Sequence, residues 1–184
     1  MRPAKQGDFD GLCGLYALIN ALDLVGFKRP RTPLHRSLFV TLAASIPSRT
    51  LKKAIDSGLD GRDLIKAATL AFPGFRKPLG GAVTVSRPFR RAVFDTDAAF
   101  LEAMADIMAS GRSALILNVS TPTYSHWTVA SSVASQTIVL RDSGTMTELD
   151  LERYSIKRGR YRIKPRETLL VHMRPRRTTM SEGG

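Results

Sequence analysis

The 184-residue chain has one cysteine, three histidines and one tryptophan. A single thiol excludes an internal disulfide framework, a CxxC redox pair and a cysteine-built zinc site. It also suits a reducing compartment, so the expected location is the cytosol. The histidines, at positions 35, 126 and 172, show no metal-ligand spacing and no HExxH is present, so no metal is expected. GxxxxGK[ST] is missing as well, and the paired glycines of PLGGAV at 78–83 lack the strand–glycine–helix context of a dinucleotide loop. No cofactor is therefore expected. The longest apolar stretch, 12–25, is interrupted by Gly14, Asn20 and Asp23. It is too short for a membrane span, which takes about 20 mostly apolar residues. The N-terminus has no apolar run with a small-residue cleavage site, so no classical signal peptide is expected. Secretion by a non-classical route stays compatible with that.

Acid is the other shortage. Residues 28–53 hold seven Lys or Arg and no Asp or Glu, and 151–184 hold ten against Glu152, Glu167 and Glu182. The net charge of +12 favours an acidic partner, whether nucleic acid or an acidic protein or lipid surface. The plainer reading is a solvated face that keeps the protein dispersed. Aromatics are only 7% and are not interleaved with the basic runs as base-stacking surfaces require.

What is abundant is apolar patterning, 43% of the chain, enough for one domain expected over 1–175, with 176–184 a flexible tail. Leu12, Leu15, Leu18, Ile19, Leu22 and Val25 recur at three and four, predicting a helix from Cys13 to Val25 with one wide buried face. Further helices are expected at about 34–43, 49–57 (capped by Ser48), 60–71 (capped by Asp60) and 96–111 (capped by Thr96). The prolines of 27–33 and the Pro/Gly-rich 72–81 predict loops. Strands are expected at 82–86, 90–94, 113–120, 126–133, 137–142, within 159–165 and at 168–173. Helices first and strands afterwards give an α+β domain of two layers or lobes, its N-terminal helices packed on an antiparallel sheet.

Four residues in this order carry a chemistry. Cys13 at a helix N-terminus meets unpaired N–H groups and the positive end of the helix dipole, which favour thiolate over thiol. A hairpin of 126–131 with 137–142, turning at Ala134, sets His126 opposite Asp142, at a Cβ separation of about 4.5–5.5 Å. Asp142 then orients the imidazole and fixes its tautomer. Gln6, with enough chain to turn back, offers a side-chain amide beside the Cys13 N–H to a developing oxyanion. Each residue singly has a plainer reading. Cys13 can be a small core hydrophobe, His126 an ordinary strand residue, Asp142 the start of a turn before Ser143 and Gly144, and Gln6 nothing in particular. His35 and His172 read as satisfied or surface histidines.

QGDFDGLCGLYALINAL, SHWTV and LRDSG together resemble the papain-like cysteine peptidase superfamily in its compact branches, the bacteriocin-leader peptidase domains of exporters and the Josephin-type deubiquitinases. The resemblance covers 6–26 and 113–144. It implies a papain-like fold, with Cys13 as nucleophile, His126 as base, Asp142 as orienter and Gln6 as oxyanion donor. Trp127 beside His126 matches the Josephin pattern. The implied activity is hydrolysis of a peptide or isopeptide bond in a protein or peptide substrate, with the Gly-Gly tail of a ubiquitin-like protein as one candidate by analogy of fold. An acyltransferase or glutamine deamidase uses the same machinery. The competing class is a basic module that binds nucleic acid or an acidic partner and carries a structural cysteine. Small size and basicity also suit a toxin or effector, which is a role compatible with the hydrolase.

Overall fold

The computed structural model describes residues 11–25 and 32–175. Helix α1 (Cys13–Val25) has the boundaries its periodicity predicts. Its stripe of Leu15, Leu18, Ile19 and Leu22 is completely or almost completely buried, as are Ala17 and Ala21. Helices α2 (Thr32–Ala44), α3 (Ser48–Ser57) and α4 (Gly61–Ala71) follow. Pro33 lies in the first turn of α2 instead of in a loop, where a missing N–H costs nothing because no intrahelical acceptor exists for it. Asp60 caps α4, accepting from the N–H groups of Arg62 and Asp63. Ser48 does not cap α3. It is the first helical residue, and Pro47 occupies the cap position with no side-chain bond.

The Pro/Gly-rich stretch folds into a 3-10 turn (Phe72–Phe75) and a single-turn helix, α5 (Arg76–Leu79), before strand β1 (Gly81–Ser86). Helix α6 (Asp97–Met108) is capped by the Thr96 hydroxyl, which accepts from Ala99 N–H. Strands β2 (Ser113–Ser120), β3 (Ser125–Val133), β4 (Thr137–Arg141), β5 (Glu148–Asp150), β6 (Arg162–Ile163) and β7 (Leu169–Pro175) follow among the described residues. They form an antiparallel sheet in the order β1-β7-β2-β3-β4-β5, with β6 also pairing β2. The expected strand at 90–94 is absent. Phe94 instead packs edge-on against Phe89 and Phe100, and aromatic packing holds that segment as a loop.

The fold is α+β, but helices cover both faces of the sheet. Ala114 and Ile116 of β2 join α1, α2 and α4 in one core. Leu115, Leu117 and Val119 join Phe100, Leu101 and Met104 of α6 in the other. This two-sided burial explains why SALILNVS is almost continuously apolar. No described helix is long and apolar enough to cross a membrane.

Two glycines bring α1 into place. Gly11 N–H donates to Ile55 O at 2.7 Å, and a Cβ at residue 11 would stand 2.5 Å from Ala54 O. A Cβ at Gly14 would stand 2.7 Å from Leu64 Cδ2. Cys13 is therefore held between two positions where backbone must approach a neighbour closely. At the other end of α1, buried Asp23 meets the unfavourable pole of the helix dipole. His35 Nε2 lies 2.8 Å from Asp23 Oδ1, and the Arg141 guanidinium, 2.8 Å from Oδ2, offsets that charge. The bond to Arg141 ties α1 to β4, one residue before Asp142.

Candidate active site

Cys13 opens α1 with its side chain 5% exposed, and it lines a cleft of about 1010 Å³. Its Sγ accepts from the Trp127 backbone N–H at 3.5 Å and lies 3.9 Å from Gly11 O. Trp127 itself is buried, and its indole N–H donates to Leu59 O at 2.8 Å. One residue of β3 thus links the sulfur to the 58–60 loop, which also lines the cleft. The sequence placed Trp127 near the site without revealing this double contact, because a backbone N–H has no sequence signature.

His126 Nε2 bonds Asp142 Oδ1 at 2.7 Å, leaving Nδ1 as the ring nitrogen for Cys13. Burial pulls the imidazole pKa down. The hydrogen bonds to Asp142 and Cys13, with the charges of both, outweigh burial and raise it to about 9. Burial pushes the Asp142 carboxyl up, but the bond and charge of His126 hold it below its ordinary value. Gly144 N–H, donating to Oδ2 at 2.8 Å, acts in the same direction. The buried Thr128 hydroxyl pulls the same way, less than His126 but more than Gly144. The Asp-Ser-Gly turn is thus part of the carboxylate's support.

The hairpin register is not the expected one. Ala130 pairs Leu140 and Val129 pairs Arg141, two residues away from the predicted alignment. The turn lies at Ser135–Gln136, closed by Ala134 N–H to Thr137 O at 2.8 Å. Nearer the turn, Ser132 pairs Val139, so β3 contains an extra residue between Ala130 and Ser132. That bulge is what makes the site. Continued without it, the turn-side register would send His126 and Asp142 to opposite faces of the hairpin. With it, both lie on the face shared by Ala130 and Leu140, and the 2.7 Å contact forms.

Gln6 lies outside the described residues, as does the basic stretch 28–31. Arg49, Lys53 and Lys164 line the cleft, but so do Asp56, Asp60, Asp63 and Glu167. The basic clusters therefore do not make the cleft itself positive. Among the described residues, no three His, Cys, Asp or Glu side chains converge to hold a metal ion.

The raised His126 value has a consequence for stability. A folded-state pKa above the ordinary 6.5 stabilises the fold fully below pH 6.5, and the contribution is lost as pH rises through about 9. The upper bound is about 3 kcal/mol, and it belongs to the His126–Asp142 pair as a unit. The lowered Asp142 value limits the other side, its contribution fading as pH falls below the ordinary carboxylate range. In urea titrations from pH 6 to 10, the stability advantage of the wild type over His126→Gln should shrink steadily. A constant difference across that range would contradict the pairing.

The chain matches no protein-family model, and no curated protein matches it in sequence.

Proposed function

We propose that the protein is a papain-like thiol hydrolase that cleaves a peptide or isopeptide bond. The observation that carries this reading is the bonded pair His126–Asp142 beside a thiol that opens a helix inside a large cleft. Cys13 Sγ attacks the scissile carbonyl carbon, forming a tetrahedral oxyanion. The Cys13 backbone N–H, in the first turn and without an intrahelical acceptor, is available to that oxygen. Gln6 is assigned as the second donor on its place in the chain alone. Collapse breaks the C–N bond, and His126 passes its proton to the departing amine. His126 then takes a proton from water, which attacks the thioester, and Cys13 leaves with the new carboxylate formed. Asp142 keeps the ring oriented and stabilises the imidazolium throughout.

The test is cleavage of a proteome-derived peptide library in ¹⁸O-water, read by mass spectrometry. Hydrolysis predicts new C-termini carrying ¹⁸O that vanish in Cys13→Ala and His126→Ala. Products joined to an added amine and lacking ¹⁸O would reassign the site to acyl transfer. A peptide ending in Gly-Gly and bearing a C-terminal electrophile tests the ubiquitin-like substrate class directly. No Cys13-dependent product or adduct in any arm would overturn the reading.

A further inference from the structure

A second groove, of about 360 Å³, opens between the 92–94 loop and the 156–167 segment. Its floor is apolar. Phe94, Ile156 and Ile163 contribute to it, and Val93 at the lip is 75% exposed. Its rim is cationic: Lys157, Arg162, Lys164 and Arg166 surround it, with Glu167 the one acid in the lining. None of these four cations is ion-paired with a carboxylate among the described residues. The neighbouring cleft is mixed instead, with Asp56, Asp60, Asp63 and Glu167 facing Arg49, Lys53, Lys164 and His126.

We propose that this groove docks an acidic, apolar peptide segment of a partner protein. Apolar floor and unpaired cationic rim complement a segment in which carboxylates alternate with large apolar side chains. The volume is at the low end of the range for small-molecule pockets, about 300–1,000 Å³, and accommodates a few side chains. Nucleic acid fits less well, because the nearby aromatic faces are already engaged. Phe94 packs against Phe89 and Phe100, and Tyr161 carries Arg153 over its ring at 4.1 Å. Free ring faces are what single strands need. The groove shares Lys164 and Glu167 with the cleft, so a docked segment leads towards Cys13. Only this role as a substrate exosite rests on the hydrolase reading; the docking itself does not.

The experiment uses the full chain carrying Cys13→Ser, so that bound peptide is not consumed, and fluorescence anisotropy. The probes are a short labelled peptide alternating Glu with Leu and Phe, an oligo-glutamate of equal charge, and single-stranded DNA. The alternating peptide should bind roughly ten-fold more tightly than oligo-glutamate and weaken as salt rises. Lys157→Glu with Arg166→Glu, and separately Val93→Asp, should each weaken it about ten-fold. All three residues are exposed, so thermal melting should be unchanged. Val93→Ser supplies a milder floor variant if Val93→Asp melts early. Equal binding of oligo-glutamate, tighter binding of DNA, indifference to the rim and floor substitutions, or no binding would each overturn the proposal. Binding with no loss of the Cys13 chemistry in the groove variants, measured on the Cys13-containing protein, separates failure of the exosite role from failure of the hydrolase reading.

Discussion

Replacing His126 with alanine should slow alkylation of Cys13 by iodoacetamide at pH 6 by roughly ten- to a hundred-fold. An ordinary thiol, with a pKa near 8.5, is only about 0.3% thiolate at that pH. An imidazolium in contact with the sulfur favours the reactive anion, and His126 keeps its proton up to about pH 9. Removing the ring removes both the hydrogen bond and the charge. Asp142→Ala should slow the reaction less, because the carboxylate acts on the sulfur only through the ring. The chain has one cysteine, so a single mass shift reports the reaction without ambiguity. Burial of Cys13 affects the absolute rate but largely cancels in the comparison of variants. Equal rates in wild type and His126→Ala would end the activated-nucleophile reading and favour a structural cysteine.

How much of this was legible in the sequence depends on whether a feature is periodic. Helix α1 has a continuous three-and-four stripe with a Gly/Asp turn ahead of it, and its ends came out correctly. The caps at Asp60 and Thr96 were readable because each is a short polar side chain before an apolar stripe. Residues 90–94 misled because RRAVF has the composition of a strand. Phe94 is held by Phe89 and Phe100 instead, a tertiary preference that local pattern does not contain. Strand β5 is only Glu148–Asp150, too short for an alternation to register. The covering of the second sheet face by α6 was missed although β2 carried the signal, since an unbroken apolar strand needs a partner on each side.

The candidate site divides in the same way. Cys13, His126 and Asp142 stood out by residue type and order, and the structure brings His126 and Asp142 into contact. The supports did not stand out. Asp23 could have been found, because a carboxylate inside a buried helical stripe demands a partner, and His35 and Arg141 are those partners. The Trp127 N–H and the Gly144 N–H are backbone groups, invisible to any reading of side chains. The extra residue in β3 is invisible too, since Ser131–Ser132 has nothing to distinguish it from a regular strand.

That extra residue is the basis of the second large effect. Inserting one alanine after Ser131 should separate His126 from Asp142 while the pairing of β3 with β2 holds. A bulge absorbs one extra residue between the Ser132–Val139 and Ala130–Leu140 pairs, so a second one slips the site-side register by one and places the two side chains on opposite faces. The imidazole should then titrate far below about 9, having lost its largest favourable interactions, and Cys13 alkylation should slow at least as much as in Asp142→Ala. Ser131→Ala is the control. It removes the hydroxyl that donates to Val139 O at 3.1 Å but keeps the residue count, so it should cost about 1 kcal/mol or less and leave the imidazole unmoved. NMR titration of the His126 ring, with alkylation kinetics alongside, distinguishes the two variants. If the insertion leaves His126 near 9, β3 has taken up a second extra residue without slipping, and the register is not what holds the pair together.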